Sequence, residues 1–546
     1  MIFNKNSLTS LPQRWILTLA IIALIIPVLI IEYQVMTYTR GVFAYPLDDA
    51  FIHMGIARNL ALHGVWGISP FGFVSASSSI LYPPLLAAVF IVTGPHIVIP
   101  LMLNLLSGIA ILVVMQRWLR RQGLSPLSQL VILLAAIFFI PLPVIISIGM
   151  EHTLQILFCF LFIYRFSDWL AAGVQSGQKH WKVSPEVFIY GVLVTATRYE
   201  GILLIMVACA LLLYYRQWEL SLELGIISML PVIIFGIYAM FNGNFFLPNS
   251  VLLKADAIPM TPAGILDFVT HGIFQKLFYD TPTTSAVSIE RLLIVLPLTY
   301  FVFFQQLRKD LTYRCILIFL MAATFLHMSL ANTNWFYRYE AYLPGCAVLV
   351  IGSLIAKYGR ELFMKKSWPS RWVGIFITLL LFLPFVLRSR DALRDVQGAC
   401  HNIYDQNYNM GRFLHEYYDT TTVAINDLGC PSYFLSGKLI DLWGLGNIEV
   451  AQSKRNNYYG TPFLDSLIRK EKVKIAVVFD RLYNPDLLYK WHKIAIWHID
   501  DRRVSGDANL SFYAVDTLMG PALKKNLMRY QPSLPSGVTV YYSNLQ

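Results

Sequence analysis

Apolar runs long enough to cross a bilayer recur along most of this chain, separated by short basic connections. A hydrocarbon core takes ~20 apolar residues per helix. Residues 16–35, 97–116, 127–148, 152–168, 187–197, 201–215, 223–241, 291–307, 315–331, 342–356 and 372–387 meet or approach that length. The pattern predicts a polytopic α-helical membrane protein with about eleven transmembrane helices. Composition agrees, since 56% of the 546 residues are hydrophobic and 14% charged, against roughly 25% charged in an average soluble domain. The formal charge of +11 has a topological origin. Arg117, Arg120 and Arg121, then Lys179 and Lys182, Arg216, Arg308, Lys309 and Arg314, and Lys357, Arg360, Lys365, Lys366 and Arg371 follow alternate spans. All fall on one side, which the positive-inside rule makes cytoplasmic. They form no single patch of the kind that binds nucleic acid.

The first run is preceded by Lys5 and Arg14 and followed by EYQVMTYTR, with no small-residue cleavage site. It reads as a retained span with the N-terminus in the cytoplasm of a bacterial plasma membrane. The connections 36–79 and 242–290 then lie outside the cell, together with everything after residue 388. The short run 80–93 reads as a helix at or dipping into the outer interface. The segment between Glu186 and Arg216 is too long for one crossing and basic at both ends, so it reads as a hairpin of two short helices tipped by Thr197–Glu200. After residue 388 the composition becomes that of a soluble domain. TTVAIND (421–427) and KVKIAVVFD (472–480) read as buried strands and TPFLDSLIRK (461–470) as a helix. The expected organisation is a membrane domain, 1–388, and an extracytoplasmic α/β domain, 389–546. The six cysteines form no CxxC. Cys400 and Cys430, on the outer side, are placed either for a disulfide or as two buried thiols.

Chemistry concentrates in the first outer loop. Adjacent carboxylates such as Asp48 and Asp49 repel each other unless a cation, a metal or a proton accompanies them. One can accept a proton from an attacking hydroxyl while the other orients a partner or joins it in holding a divalent cation, Mg or Mn. Helix capping is the plainer alternative for one of them. His53 lies four residues after Asp49, on the same helical face, where it joins a metal site, orients a base or is a solvated surface histidine. Glu151 begins a helix, where the dipole favours it; a metal or acceptor contact is the other reading.

The segments LDDAFIHMGIARNLALHGVWGISP and VSASSSILYPPLLA resemble the first luminal loop of GT-C glycosyltransferases. GMEHTLQILF (149–158), TRYEGILL (197–204), FNGNFFLPNSVLLKAD (241–256), FYRYEAYLP (336–344) and VAINDLGCPSYFLSGKLIDLWGLGN (423–447) resemble, in the same order, signatures of the branch containing mycobacterial-type arabinofuranosyltransferases. Two departures, Tyr199 where the branch has Pro and SASSS in place of an EGYTN-like segment, bear on the choice of sugar. The resemblance implies a polyprenyl-phosphate-linked sugar donor, a hydroxyl acceptor on a cell-envelope glycan, lipid or exported protein, and inversion at the anomeric carbon. Asp48 or Asp49 would be the base. Arg58, Arg198, Lys254 and Arg338 are the candidates for the donor phosphate, with Glu200, Glu151, His53 and Asn249 near the substrate. Arg198 and Glu200 have a second reading, as an ion pair that stabilises the hairpin. Arabinose is the first sugar to expect. A transporter or flippase for lipid-linked sugars is the alternative; it calls for matched inverted repeats, and the sequence has one broken hairpin without a counterpart.

Overall fold

The computed structural model describes residues 12–253, 267, 270, 289, 291–294, 310–333, 335–364 and 368–543. Lys254 and most of the expected span 291–307 lie outside the described residues. In chain order the helices are α1 (Gln13–Tyr38), α2 (Asp49–His63), α3 (Tyr82–Thr93), α4 (Ile99–Arg121), α5 (Pro126–Phe139), α6 (Leu142–Ser147), α7 (His152–Ser176), α8 (Pro185–Thr197), α9 (Gly201–Tyr214), α10 (Trp218–Phe241), α11 (Asn249–Leu252), α12 (Leu311–Leu330), α13 (Tyr342–Met364) and α14 (Trp368–Ile403). Among the described residues, five helices, α1, α4, α7, α10 and α12, are long and apolar enough to cross a membrane.

Helix α1 shows why lipid is its solvent. Its most apolar window has a mean hydropathy of 2.7. Ile16, Ala20, Leu24, Val28, Ile31 and Val35 form one buried stripe at helical spacing, yet Ile22, Ile26, Leu29 and Ile30 on the other faces stay exposed. A helix apolar all round with one packed stripe fits a hydrocarbon surround.

Two expectations need correction. The run 127–148 is not one helix but two, α5 and the fully buried α6. Pro141 and Pro143 supply no N–H and so break the hydrogen-bond ladder between them. In addition, α14 runs without interruption through residue 388 to Ile403, so the change in composition there is no break in the backbone. The hairpin is found at the expected place, with Arg198–Glu200 joining α8 to α9.

Beyond α14 come α15 (Asn409–Tyr418), β1 (Val423–Ile425), α16 (Gly429–Phe434), β2 (Leu439–Asp441), α17 (Ile448–Arg455), α18 (Thr461–Lys470), β3 (Ile475–Val478), β4 (His492–Ile499), β5 (Asn509–Ala514), α19 (Gly520–Tyr530) and β6 (Val538–Tyr542). The strands form a six-stranded sheet in the order β2-β1-β3-β5-β4-β6. β2, β1 and β3 are parallel, with Val423 opposite both Leu439 and Ile475, whereas β5, β4 and β6 add in antiparallel fashion. Side chains alternate between the two faces of a strand. Val423, Ile425, Ile475 and Val477 enter one core with α15 and α19, and Ala424, Ala476 and Val478 enter another with α17 and α18.

The first of these cores also contains Ile52 and Ile56 of α2 and Trp66, Ile68 and Ala76 of the loop that follows. Each large apolar side chain buried this way contributes about 1.5–3 kcal/mol. The first loop therefore forms part of the core of the sheet, and this is what brings its carboxylates against α16.

Candidate active site

Polar segments from four connections converge at the ends of α2, α7 and α8. The start of α3 is tied to the hairpin, because Ile80 and Leu81 both donate their N–H to the Ala196 carbonyl, at 3.1 and 2.9 Å. Glu151, fully buried just before α7, accepts from Arg198 Nη1 at 2.6 Å and Ser78 Oγ at 3.0 Å on Oε1. Its Oε2 lies 3.2 Å from His53 Nε2, an ion-pair distance without hydrogen-bond alignment. His53 Nδ1 faces Ser77 Oγ at 3.1 Å. Burial lowers the His53 pKa, against the pull of Glu151. Arg198 also forks onto Glu200, with Nε–Oε2 at 3.0 Å and Nη2–Oε1 at 2.6 Å. Every nitrogen of its guanidinium thus has a carboxylate partner. A buried carboxylate and guanidinium each require such a partner, so the pairing reading of Arg198 and Glu200 is the one the geometry realises.

The two aspartates have separate duties. Asp48 makes no capping hydrogen bond to its own helix. Its Oδ2 instead accepts from Gly429 N at 2.6 Å and its Oδ1 from Cys430 N at 2.9 Å, at the start of α16. Gly429 has to be glycine, because an added methyl would collide with the Asp48 carbonyl and carboxylate. Burial raises the Asp48 pKa, opposed by those two N–H groups. Asp49 turns to Arg338, whose Nη2 is 2.5 Å from its Oδ2.

Arg338 is 1% exposed. Among the described residues its Nη1 meets only the thioether of Met150, and its Nε is buried without a hydrogen-bond partner. Tyr339 lies beside both arginines, with Arg198 Cζ 5.3 Å and Arg338 Cζ 5.0 Å from its ring centroid, a cation–π arrangement. The segment carrying Arg338 is bent through left-handed backbone at Phe336 and Tyr337 (φ 53° and 62°), a conformation that its surroundings must enforce. Arg388 of α14 does so. It pairs with the fully buried Glu340 and donates from Nη2 to the Tyr337 carbonyl at 2.8 Å.

A cavity of about 530 Å³ opens where the first loop, the segment of Thr333, Trp335 and Tyr339, and the sheet meet; Asp48, Asp49, Trp335, Tyr339, Asp427 and Trp443 are on its wall. Asp427 accepts from Asn407 Nδ2 at 3.0 Å. Burial, followed by the charge of Asp48, pushes its pKa up to about 7. Sequence reasoning missed Asp427 and Arg388. The only signal for Asp427 was its place in VAINDLGC, beside the end of a buried strand; Arg388 gave none beyond a basic residue at the end of a span.

Two other expected residues make contacts away from the cavity wall. Arg58 Nη1 donates to the carbonyls of Tyr433 and Leu435 at 2.6 and 3.2 Å, so it closes the C-terminal end of α16, where a cation is favoured. Asn249, buried, donates to the Leu445 carbonyl at 3.2 Å and so ties α11 to the sheet. Neither is on the cavity wall. Cys400 and Cys430 are free thiols in different buried clusters, so no disulfide joins them. Asp48 and Asp49, the expected Mg or Mn ligands, have other partners here: backbone N–H groups bind the oxygens of Asp48 and a guanidinium faces Asp49. Among the described residues, no three His, Cys, Asp or Glu side chains gather to hold a metal ion.

Residues 401–513 match a family described as "Domain of unknown function (DUF8728)". No curated protein matches the chain in sequence. Among solved structures, the chain is similar to ArnT from Cupriavidus metallidurans bound to undecaprenyl phosphate, with a TM-score of 0.52 and 11% identity over 92% of this chain and 99% of that one. It is also similar to the apo form of the Archaeoglobus fulgidus oligosaccharyltransferase, with a TM-score of 0.48 and 11% identity over 90% of this chain and 74% of that one. At 11% identity the likeness to the ArnT structure is one of fold.

Proposed function

We propose that the protein is a membrane glycosyltransferase that takes a sugar from a polyprenyl-phosphate donor and passes it to a hydroxyl acceptor. The observation that carries this reading is the Asp49–Arg338 pair, whose carboxylate is on the wall of a cavity of about 530 Å³. The acceptor oxygen attacks the anomeric carbon, and Asp49 takes the hydroxyl proton. The bond from that carbon to the phosphate oxygen breaks, with its electron pair leaving on the phosphate. Arg338 is suited to receive that charge because, among the described residues, its Nη1 has only a thioether as partner and its Nε has none. A likeness in fold to a protein bound to undecaprenyl phosphate supports a polyprenyl-linked donor. The resemblance to arabinofuranosyltransferases favours a pentofuranose such as arabinose, and the distribution of basic loops favours a site facing away from the cytoplasm, with about eleven membrane helices in all.

The test supplies the purified full-length chain in lipid vesicles with polyprenyl-phosphate pentofuranose and hexose donors and hydroxyl acceptors. The wild type should release polyprenyl phosphate and form glycoside. Asp49→Asn should be slower by about 10²–10⁴-fold, the range of a positioned general base, in protein whose melting curve shows it folded. Translocation of intact donor without cleavage would assign transport instead.

A further inference from the structure

Resting on that reading, we infer that the acceptor is a neutral carbohydrate, bound between Trp335 of the membrane portion and Trp443 of the sheet portion. Both tryptophans are on the cavity wall, and both are uncovered, with 49% and 40% of their surface exposed. Two uncovered indoles on one wall rimmed by polar side chains make the kind of apolar patch that marks a ligand-binding groove. Trp443 is also held in place. Its backbone N–H donates to Asp441 Oδ1 at 2.7 Å and that of Gly446 to Asp441 Oδ2 at 2.7 Å, which fixes the main chain, while Lys454 Nζ sits 3.7 Å from the ring centroid and packs against the ring itself. A ring fixed before the ligand arrives loses little entropy on binding.

The lining chemistry selects among acceptor classes. A pyranose or furanose presents a C–H face, slightly positive, that suits the negative face of an aromatic ring, and hydroxyls around its rim that both donate and accept. Thr333 and Asp427 on the same wall carry both kinds of group. A phosphorylated or otherwise anionic acceptor would meet Asp48, Asp49 and Asp427. The one cationic side chain on the wall among the described residues, Arg481, is already paired with Asp507 at 2.8 Å. The volume of about 530 Å³ falls within the usual range for small-ligand sites, roughly 300–1,000 Å³.

The test measures binding of short neutral oligosaccharides, built from pentofuranose or hexose units, to the full-length chain in nanodiscs without donor. Saturation-transfer NMR and tryptophan fluorescence are the readouts. Wild type should bind at least one of them, and Trp443→Ala should weaken binding about tenfold, or about 1.4 kcal/mol. Trp443→Phe should restore most of it. Tyr489→Ala, which removes an aromatic 85% exposed elsewhere on the sheet portion, should leave binding as in wild type. Unaltered binding in Trp443→Ala overturns the inference, as does exclusive transfer to an anionic lipid or a peptide hydroxyl. Donor turnover without saccharide binding defeats this inference alone. Saccharide binding without donor turnover defeats only the transferase reading.

Discussion

Replacing Asp48 by Ala tests whether this carboxylate fastens the sheet to the first loop, as distinct from taking part in proton transfer. Its two oxygens accept the N–H groups of Gly429 and Cys430 at 2.6 and 2.9 Å. A hydrogen bond to a charged group is worth about 1.5–3 kcal/mol. Asp48 is only half-buried, so the lower end applies to each bond and the pair contributes about 3 kcal/mol. At about 1.4 kcal/mol per factor of ten, losing both raises local opening of α16 on the order of 100-fold. Hydrogen exchange read at Gly429 and Cys430 should accelerate by that ratio in Asp48→Ala. Asp48→Asn, which keeps one acceptor oxygen, should fall between. Gly429→Ala provides a check that leaves the carboxylate intact, since the added methyl would collide with Asp48, and it should accelerate the same amides. Unchanged exchange in Asp48→Ala, together with lost transfer, would refute the fastening role and return Asp48 to the list of bases.

Two further outcomes follow from the buried charges. Arg388→Met removes the guanidinium from fully buried Glu340, so it should cost about 3–5 kcal/mol of stability in thermal or denaturant melts. Adding Glu340→Gln should recover much of that loss, and a double variant as unstable as the single would refute the pairing account. Asp427 has its pKa raised from the ordinary 3.8 to about 7 by burial and by Asp48, so the folded chain retains a proton that the unfolded chain releases. The stability it contributes is full below pH ~4 and is lost as pH rises to ~7. Over that window the wild-type melting temperature should fall relative to that of Asp427→Asn, and parallel curves would sink the assignment.

Legibility in the sequence followed the range of the forces involved. The hairpin of α8 and α9 was readable because basic residues at both ends force an even number of crossings, a constraint local to the segment. Helix α18 has the bounds of TPFLDSLIRK, and β1 and β3 fall inside the two β-branched runs, since periodicity and turn residues act over a few positions. The division within 127–148 was hidden because prolines inside an apolar run look like the rest of the run to a hydropathy window. Arg58 was ambiguous for a different reason. A cation in an outer loop suits a phosphate and a helix C-terminus equally well, and only the long-range approach of α16 decides between them.

The same long-range approach explains why the candidate site could not be read from either part of the chain alone. Asp49 and Arg338 come from the membrane portion and Asp427 and Trp443 from the sheet portion, and the cavity exists only where they meet. Contact between the parts is not left to the cavity. Ile52 and Ile56 of α2 enter the core of the sheet, Arg58 closes α16, and Asp48 holds its first N–H groups. Helix α14 carries Arg388, which supports the Arg338 segment, and then continues into the chain that forms the sheet. Any rotation of the sheet portion that opened the cavity would therefore have to expose apolar side chains of α2 and break charge-assisted hydrogen bonds at once, an unfavourable combination. The charged groups on the cavity wall are therefore held in place before anything binds, and on the proposed reading that is the condition under which fixed charges contribute most to a transition state.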